Sequence, residues 1–210
     1  MTSNYILSFT AVSLAIYETE TIANLYNEKE DWGSILHDVV EENILQKGTV
    51  ATRKREFREL KKRVSTLTIE QRKLYSTGSS SDIRNLAILG CFKLYPFIYQ
   101  FSSEVIREKL LLFDFTILNS DYEAFYESKR IAYDKLNLIS EGTQYKLKQV
   151  MFKILEQAEF IDSVKNKNIQ KPYLSEELER LIVADNPTYL SAFLYSNSDI
   201  RERIERYQCR

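Results

Sequence analysis

Ile83-Arg84-Asn85-Leu86-Ala87-Ile88-Leu89-Gly90-Cys91-Phe92-Lys93-Leu94-Tyr95-Pro96-Phe97-Ile98-Tyr99-Gln100-Phe101 contains the most apolar window of the chain, Leu86 to Phe101. That window is bracketed by Arg84 and interrupted by Lys93 and Pro96, so it falls short of the ~20 apolar residues a bilayer crossing needs. It predicts instead a central buried helix, stopped or kinked at Pro96, because proline lacks the donor that continues a helix. A helix of this kind needs other helices around it. The rest of the chain has few residues for anything else: 5 Gly and 3 Pro in 210 residues are too few for the tight turns of a sheet-rich fold.

Working outward, the upstream segments read as amphipathic helices. Ala11, Leu14, Ala15, Ile22, Leu25 and Tyr26 share a face at 3.6-residue spacing, predicting a first helix over Thr10 to Asn27. Glu18 falls on that face and needs a cation or backbone donors, since an unpaired buried carboxylate is too costly. Asp31 is a good N-cap for a second helix that ends at Lys47-Gly48. Thr52 opens a third, and Thr68-x-x-Gln71 resembles the capping box of a fourth. Thr77-Gly78-Ser79-Ser80-Ser81 is the clearest loop. Downstream, Ser103 to Phe113, Asp121 to Leu136 and the stretch after Gly142 are amphipathic, the last through Leu147, Val150, Met151, Ile154, Leu155 and Ala158. Periodicity then fails, and the segment 160–174, with Lys165-Asn166-Lys167-Asn168 between short apolar ends, fits a small β-hairpin. Short helices follow from Ser175, Pro187 and Ser198. The fold class expected is all-α, a multi-helix bundle with that one hairpin, in a single domain spanning residues 1–210.

The only histidine is His37, and no Gly-rich phosphate loop exists, so the common nucleophilic, zinc and nucleotide-binding constellations have no residues to build them. The reading is non-enzymatic, with no cofactor, metal or small-molecule substrate. Cys91 and Cys209 share no metal-type spacing and suit a reducing compartment. No basic and apolar leader opens the sequence, so a cytoplasmic protein without a membrane partner is expected.

Net charge is −1, but its distribution is polarised. Residues 1–50 hold eight acids against Lys29 and Lys47, whereas residues 51–63 hold seven bases against two acids. The seven are Arg53, Lys54, Arg55, Arg58, Lys61, Lys62 and Arg63. On a helical wheel Phe57, Leu60, Val64 and Leu67 face the core, and Lys54, Arg55, Arg58, Lys61 and Lys62 share one acid-free arc. The stripe is ~12 Å long at the helical rise, and a duplex presents about one charge per 1.7 Å of axis. It could therefore face several phosphates of double-stranded DNA. An ordinary solvated helix laced with i,i+4 pairs is the competing account. It works for Arg55, Lys62 and Arg63 through Glu59, and fails for Lys54, Arg58 and Lys61, which have no carboxylate at those spacings. Pairing with the acidic first fifty residues is the remaining alternative.

A second candidate lies in residues 121–174, whose order of helix, turn, helix and hairpin is that of a winged helix-turn-helix. Lys146, Gln149 and Lys153 share one flank of the later helix, and Lys165, Lys167 and Lys171 sit on the expected wing. Glu156, Glu159 and Asp162 dilute that charge.

Across essentially its whole length the chain resembles the BrxA family, a component of BREX (bacteriophage exclusion) defence systems. The resemblance is carried by Tyr5-x-x-Ser8-Phe9-Thr10 leading into a helix with Glu18, by Asp31-Trp32, and by the basic helix Thr52–Arg63. Thr143-x-x-Lys146-Leu147 and Ile169-x-x-Pro172-x-Leu174 complete it. It implies an all-helical fold like that of the transcription factor NusB, DNA binding, and action beside other BREX proteins. It supplies no site residues. A protein–protein adaptor remains the rival function, and an RNA-binding factor is suggested by fold analogy alone.

Overall fold

The computed structural model describes residues 5–208 and places the apolar stretch at its centre. Following a 3₁₀ turn at Ser8–Ala11, the helices are α1 (Ile16–Lys29), α2 (Trp32–Val40), α3 (Val50–Ser65), α4 (Ile69–Thr77), α5 (Ser80–Leu94) and α6 (Pro96–Gln100). A single π-helical turn, Phe101–Ile106, continues into α7 (Arg107–Leu111), and α8 (Asn119–Ala132) follows. A 3₁₀ turn at Asp134–Leu138 leads to α9 (Glu141–Gln157), then α10 (Glu176–Asp185), α11 (Tyr189–Ala192) and α12 (Asn197–Gln208). Cys209 lies outside the described residues.

Helix α5 is buried on every side from Leu86 through Phe92. It packs against α1, α3, α4, α6 and α11. Gly90 lets the α3 backbone approach closely: a Cβ there would sit 3.3 Å from the Arg63 carbonyl oxygen. Tyr95 leaves the helical region and Pro96 restarts the chain at the first position of α6, where its missing donor costs nothing. The capping signals behave as the side-chain chemistry dictates. Asp31 accepts from the Gly33 and Ser34 amides, and Thr68 with Gln71 forms a reciprocal capping box. Ser79 with Asp82 forms a second one.

Several expectations need correction. The helix capped by Asp31 ends at Val40, not at Lys47-Gly48, and the next one begins at Val50 behind a Thr49 cap, not at Thr52. The first α-helix begins at Ile16, not Thr10, because Ala15 adopts a left-handed conformation (φ 51°) that breaks the helical path. Glu18 on it is nevertheless paired, 2.6 Å from Lys47. The hairpin over 160–174 is not formed: among the described residues there is no strand, and the segment is a loop closed by one bridge between Ile161 and Ile169. Asp162 explains this. Its carboxylate accepts from the Ser163 and Asn168 amides and the Asn166 and Asn168 side chains, satisfying within the loop the groups a ladder would need. A second bridge, Thr116 to Asn168, ties the loop to the segment before α8. No helix among the described residues is long and apolar enough to cross a membrane.

Candidate nucleic-acid interface

Helix α3 carries the basic cluster, and its environment sorts the seven bases. Thr49 caps its first turn by accepting from the Thr52 amide. Phe57, Leu60 and Val64 are buried against the neighbouring helices, which fixes the helix's rotation. Lys54, Arg55 and Arg58 are then exposed, and no ion pair joins them to a carboxylate among the described residues. Lys61 is half-buried with its ammonium 5.2 Å from the centre of the Trp32 ring, which also stacks on Tyr26. Lys62 is exposed but bonds Glu59 at 3.1 Å. Arg58, Lys61 and Lys62 line a shallow depression with Ser65 and Leu94.

Two of the seven are engaged within the fold. Arg63 is fully buried. Its guanidinium donates to the carbonyls of Val12 (2.8 Å), Ser13 (2.6 Å) and Leu14 (3.2 Å) and to the Tyr95 hydroxyl (3.0 Å). Tyr95 in turn donates to Glu59, which also accepts from Ser8. Burial holds the Tyr95 hydroxyl well above the usual phenol range, so it remains a neutral donor. Arg63 is therefore the clamp that orders the chain entering α1, and its expected DNA contact is withdrawn. Arg53 is half-buried and donates to the carbonyls of Val40 (2.6 Å) and Lys47 (3.1 Å), so it secures the end of the α2–α3 connection and is likewise withdrawn. The wheel could not show either fact, since it does not place the partner carbonyls of other segments beside α3.

The secondary set divides as well. Lys146, Gln149 and Lys153 are exposed along α9 and line a groove of about 840 Å³ with Ser13, Tyr17 and the Glu18–Lys47–Glu56 cluster. The bond from Lys47 to Glu18 is the largest cause of a raised Lys47 pKa, so this lysine stays charged and engaged. Lys153 pairs with Glu156. Lys165 is exposed. Lys167 lies 5.5 Å from the Phe152 ring centre and Lys171 lies 4.8 Å from that of Tyr195, so the loop's lysines are spread over different contacts instead of forming one row. Of these candidates, the exposed bases that remain together without carboxylates among the described residues are Lys54, Arg55 and Arg58 of α3.

The family model described as BrxA matches residues 3–186. A protein named BREX protein BrxA from Bacillus cereus (strain H3081.97) is 24% identical over 163 residues, covering 77% of this chain and 82% of that protein. Another of the same name, from Escherichia coli O9:H4 (strain HS), is 24% identical over 165 residues, covering 79% of this chain and 78% of its own. Among solved structures, an uncharacterized protein from Magnetospirillum magneticum superposes with a TM-score of 0.78 at 20% identity, over 91% of this chain and 98% of that one. At that identity the likeness speaks for the fold alone.

Proposed function

The chain belongs to the BrxA family, and on that premise we propose that it is a non-enzymatic DNA-binding component of a BREX-type phage-defence system, acting in the cytoplasm beside other BREX proteins. The observation that carries the DNA reading is the exposed trio Lys54, Arg55 and Arg58, which no carboxylate neutralises among the described residues. Such charges neutralise phosphates and release counterions without reading bases, so binding is expected to be largely indifferent to sequence. Lys61 and Lys62 flank the trio and add charge once the duplex is near. Lys146 offers a second contact across the groove from α3. The NusB-like resemblance is compatible with this use of a basic helix but does not carry it, and the winged-helix order over 121–174 loses its wing because the hairpin is not formed.

The test is the affinity of the Lys54→Ala/Arg55→Ala/Arg58→Ala triple variant for several unrelated duplexes, with a melting curve to establish folding. All affinities are expected to fall together, because phosphate contacts weaken binding uniformly. Wild-type affinity in a folded variant would remove α3 from the interface. Competition by single-stranded RNA at equal concentration would favour the RNA reading.

A second reading, the protein–protein adaptor, is favoured by a different observation. Leu112, Phe113, Phe115 and Leu118 are between 50% and 83% exposed in one segment before α8. Apolar exposure of that density is typical of partner surfaces. The two readings concern different segments and do not exclude each other.

A further inference from the structure

Helices α8 and α9 enclose a groove of about 230 Å³ that takes no part in the DNA reading. Tyr122 and Tyr126, one turn apart on α8, supply its rings, and Glu123 and Glu127 follow them at the same spacing. From α9 come Glu141, Gln144, Tyr145 and Lys148, which the helical repeat also places on one face. The groove is thus walled by three tyrosines and three carboxylates, with one ammonium.

That one ammonium shows what the groove accepts. Lys148 sits 5.0 Å from the centre of the Tyr122 ring and 3.6 Å from Glu123. Tyr122 and Tyr126 stack at 6.1 Å and 26°. Tyr122 is only 5% exposed, yet its hydroxyl has no hydrogen-bond partner. Tyr145, at 68% exposure, stands free on the far wall. Glu141 has no cationic partner among the described residues, whereas Glu127 is held by Arg130 at 2.6 Å. An anion meets three carboxylates here. A metal ion is not served either: among the described residues no group of three His, Cys, Asp or Glu converges to hold one. Ring faces attract organic cations, and carboxylates at the rim strengthen that attraction.

We propose that this groove binds a primary ammonium or guanidinium group, presented by a free polyamine or by a lysine or arginine side chain of a partner. The incoming cation lies between Tyr145 and Glu141, and Lys148 competes with it for Tyr122 and Glu123. The proposal is independent of the DNA reading, since none of these residues lies on α3.

The experiment is isothermal titration of the full chain with spermidine, with N-acetyl-lysine amide and with N-acetyl-arginine amide, at constant ionic strength. Saturable binding at or below about 1 mM is expected from at least one of them. A preference for spermidine identifies a free polyamine, and a preference for an amide identifies a side chain. Tyr145→Ala and Glu141→Gln, both at exposed positions, are each expected to weaken binding about threefold to tenfold. Lys148→Ala removes the competing charge and is expected to tighten it about threefold or more. No saturable binding by any of the three up to about 10 mM, well past weak affinity, would overturn the proposal. So would binding that Tyr145→Ala and Glu141→Gln leave unchanged, or that Lys148→Ala weakens.

Discussion

Replacing Arg63 by methionine keeps the apolar stem of the side chain and deletes its four hydrogen bonds. The carbonyls of Val12, Ser13 and Leu14 then lose a charged donor, and Glu59, itself 4% exposed, keeps Ser8, Tyr95 and Lys62 but loses the nearby positive charge. Hydrogen bonds to a charged group contribute about 1.5–3 kcal/mol each, so four taken at face value sum to roughly 6–12 kcal/mol. Such a sum overshoots, because the bonds share one group and the Val12–Leu14 turn can relax toward water. The cost of removing one partner from a buried charged network, about 3–5 kcal/mol, is the better guide. For a chain of this size each kcal/mol lowers the melting temperature by about 2–4 °C, giving a fall of roughly 6–20 °C. Urea denaturation and thermal melting of Arg63→Met measure it directly. Duplex affinity, taken at a temperature where the variant is folded, is expected to match the wild type. A loss of stability under about 1 kcal/mol, or a folded variant that binds DNA several-fold more weakly, would refute the assignment of Arg63 as a structural clamp.

Two other outcomes follow from the same structure. Asp82 joins the α5 cap to the α10 cap by accepting from Ser79 and from Ser175 (2.6 Å). Burial alone would push its pKa up, but these bonds outweigh it and hold the carboxyl below its ordinary value of 3.8. Its contribution is thus present above that ordinary value and is lost as pH falls through the depressed one. Asp82→Ala is expected to cost about 1–3 kcal/mol at neutral pH, two caps being weakened together, and the gap to wild type should close in acid. A gap that widens on acidification would show the sign to be wrong. Trp32, the single tryptophan, reports on α3 through Lys61. Its emission is expected to change along the duplex-binding isotherm and to lose that response in Lys61→Ala. Silence of Trp32 at saturating DNA would place the duplex elsewhere.

Local chemistry was legible in the sequence wherever one element decided the outcome. The buried α5, the break at Pro96, the Asp31 cap and the Thr68–Gln71 box each depend on residues within a turn or two of one another. What failed depended on distant backbone. Arg63 reads as one more surface base until the Val12–Leu14 turn is seen to cross it. The loop at 160–170 reads as a hairpin until Asp162 gathers its donors inward. The family resemblance has the same character: Tyr5 and Phe9 are buried and Ser8 bonds Glu59, so that motif records how the chain is locked to α3 and not what it touches outside. The groove of Tyr122, Tyr145 and Glu141 escaped because two helices contribute half each. The repeat of Tyr-Glu at 122–123 and 126–127 was the signal available.

The central claim is that exposed bases of α3 neutralise duplex phosphates, and the salt dependence of binding tests it most directly. Each phosphate contact contributes about 0.9 to the slope of log K against log salt. Fluorescence anisotropy with a labelled duplex across a salt series is therefore expected to give a steep negative slope for the wild type. For Lys54→Ala/Arg55→Ala/Arg58→Ala the slope should be shallower by about 2.7, three contacts at that value. Equal slopes in the two proteins, or wild-type binding indifferent to salt, would contradict the account.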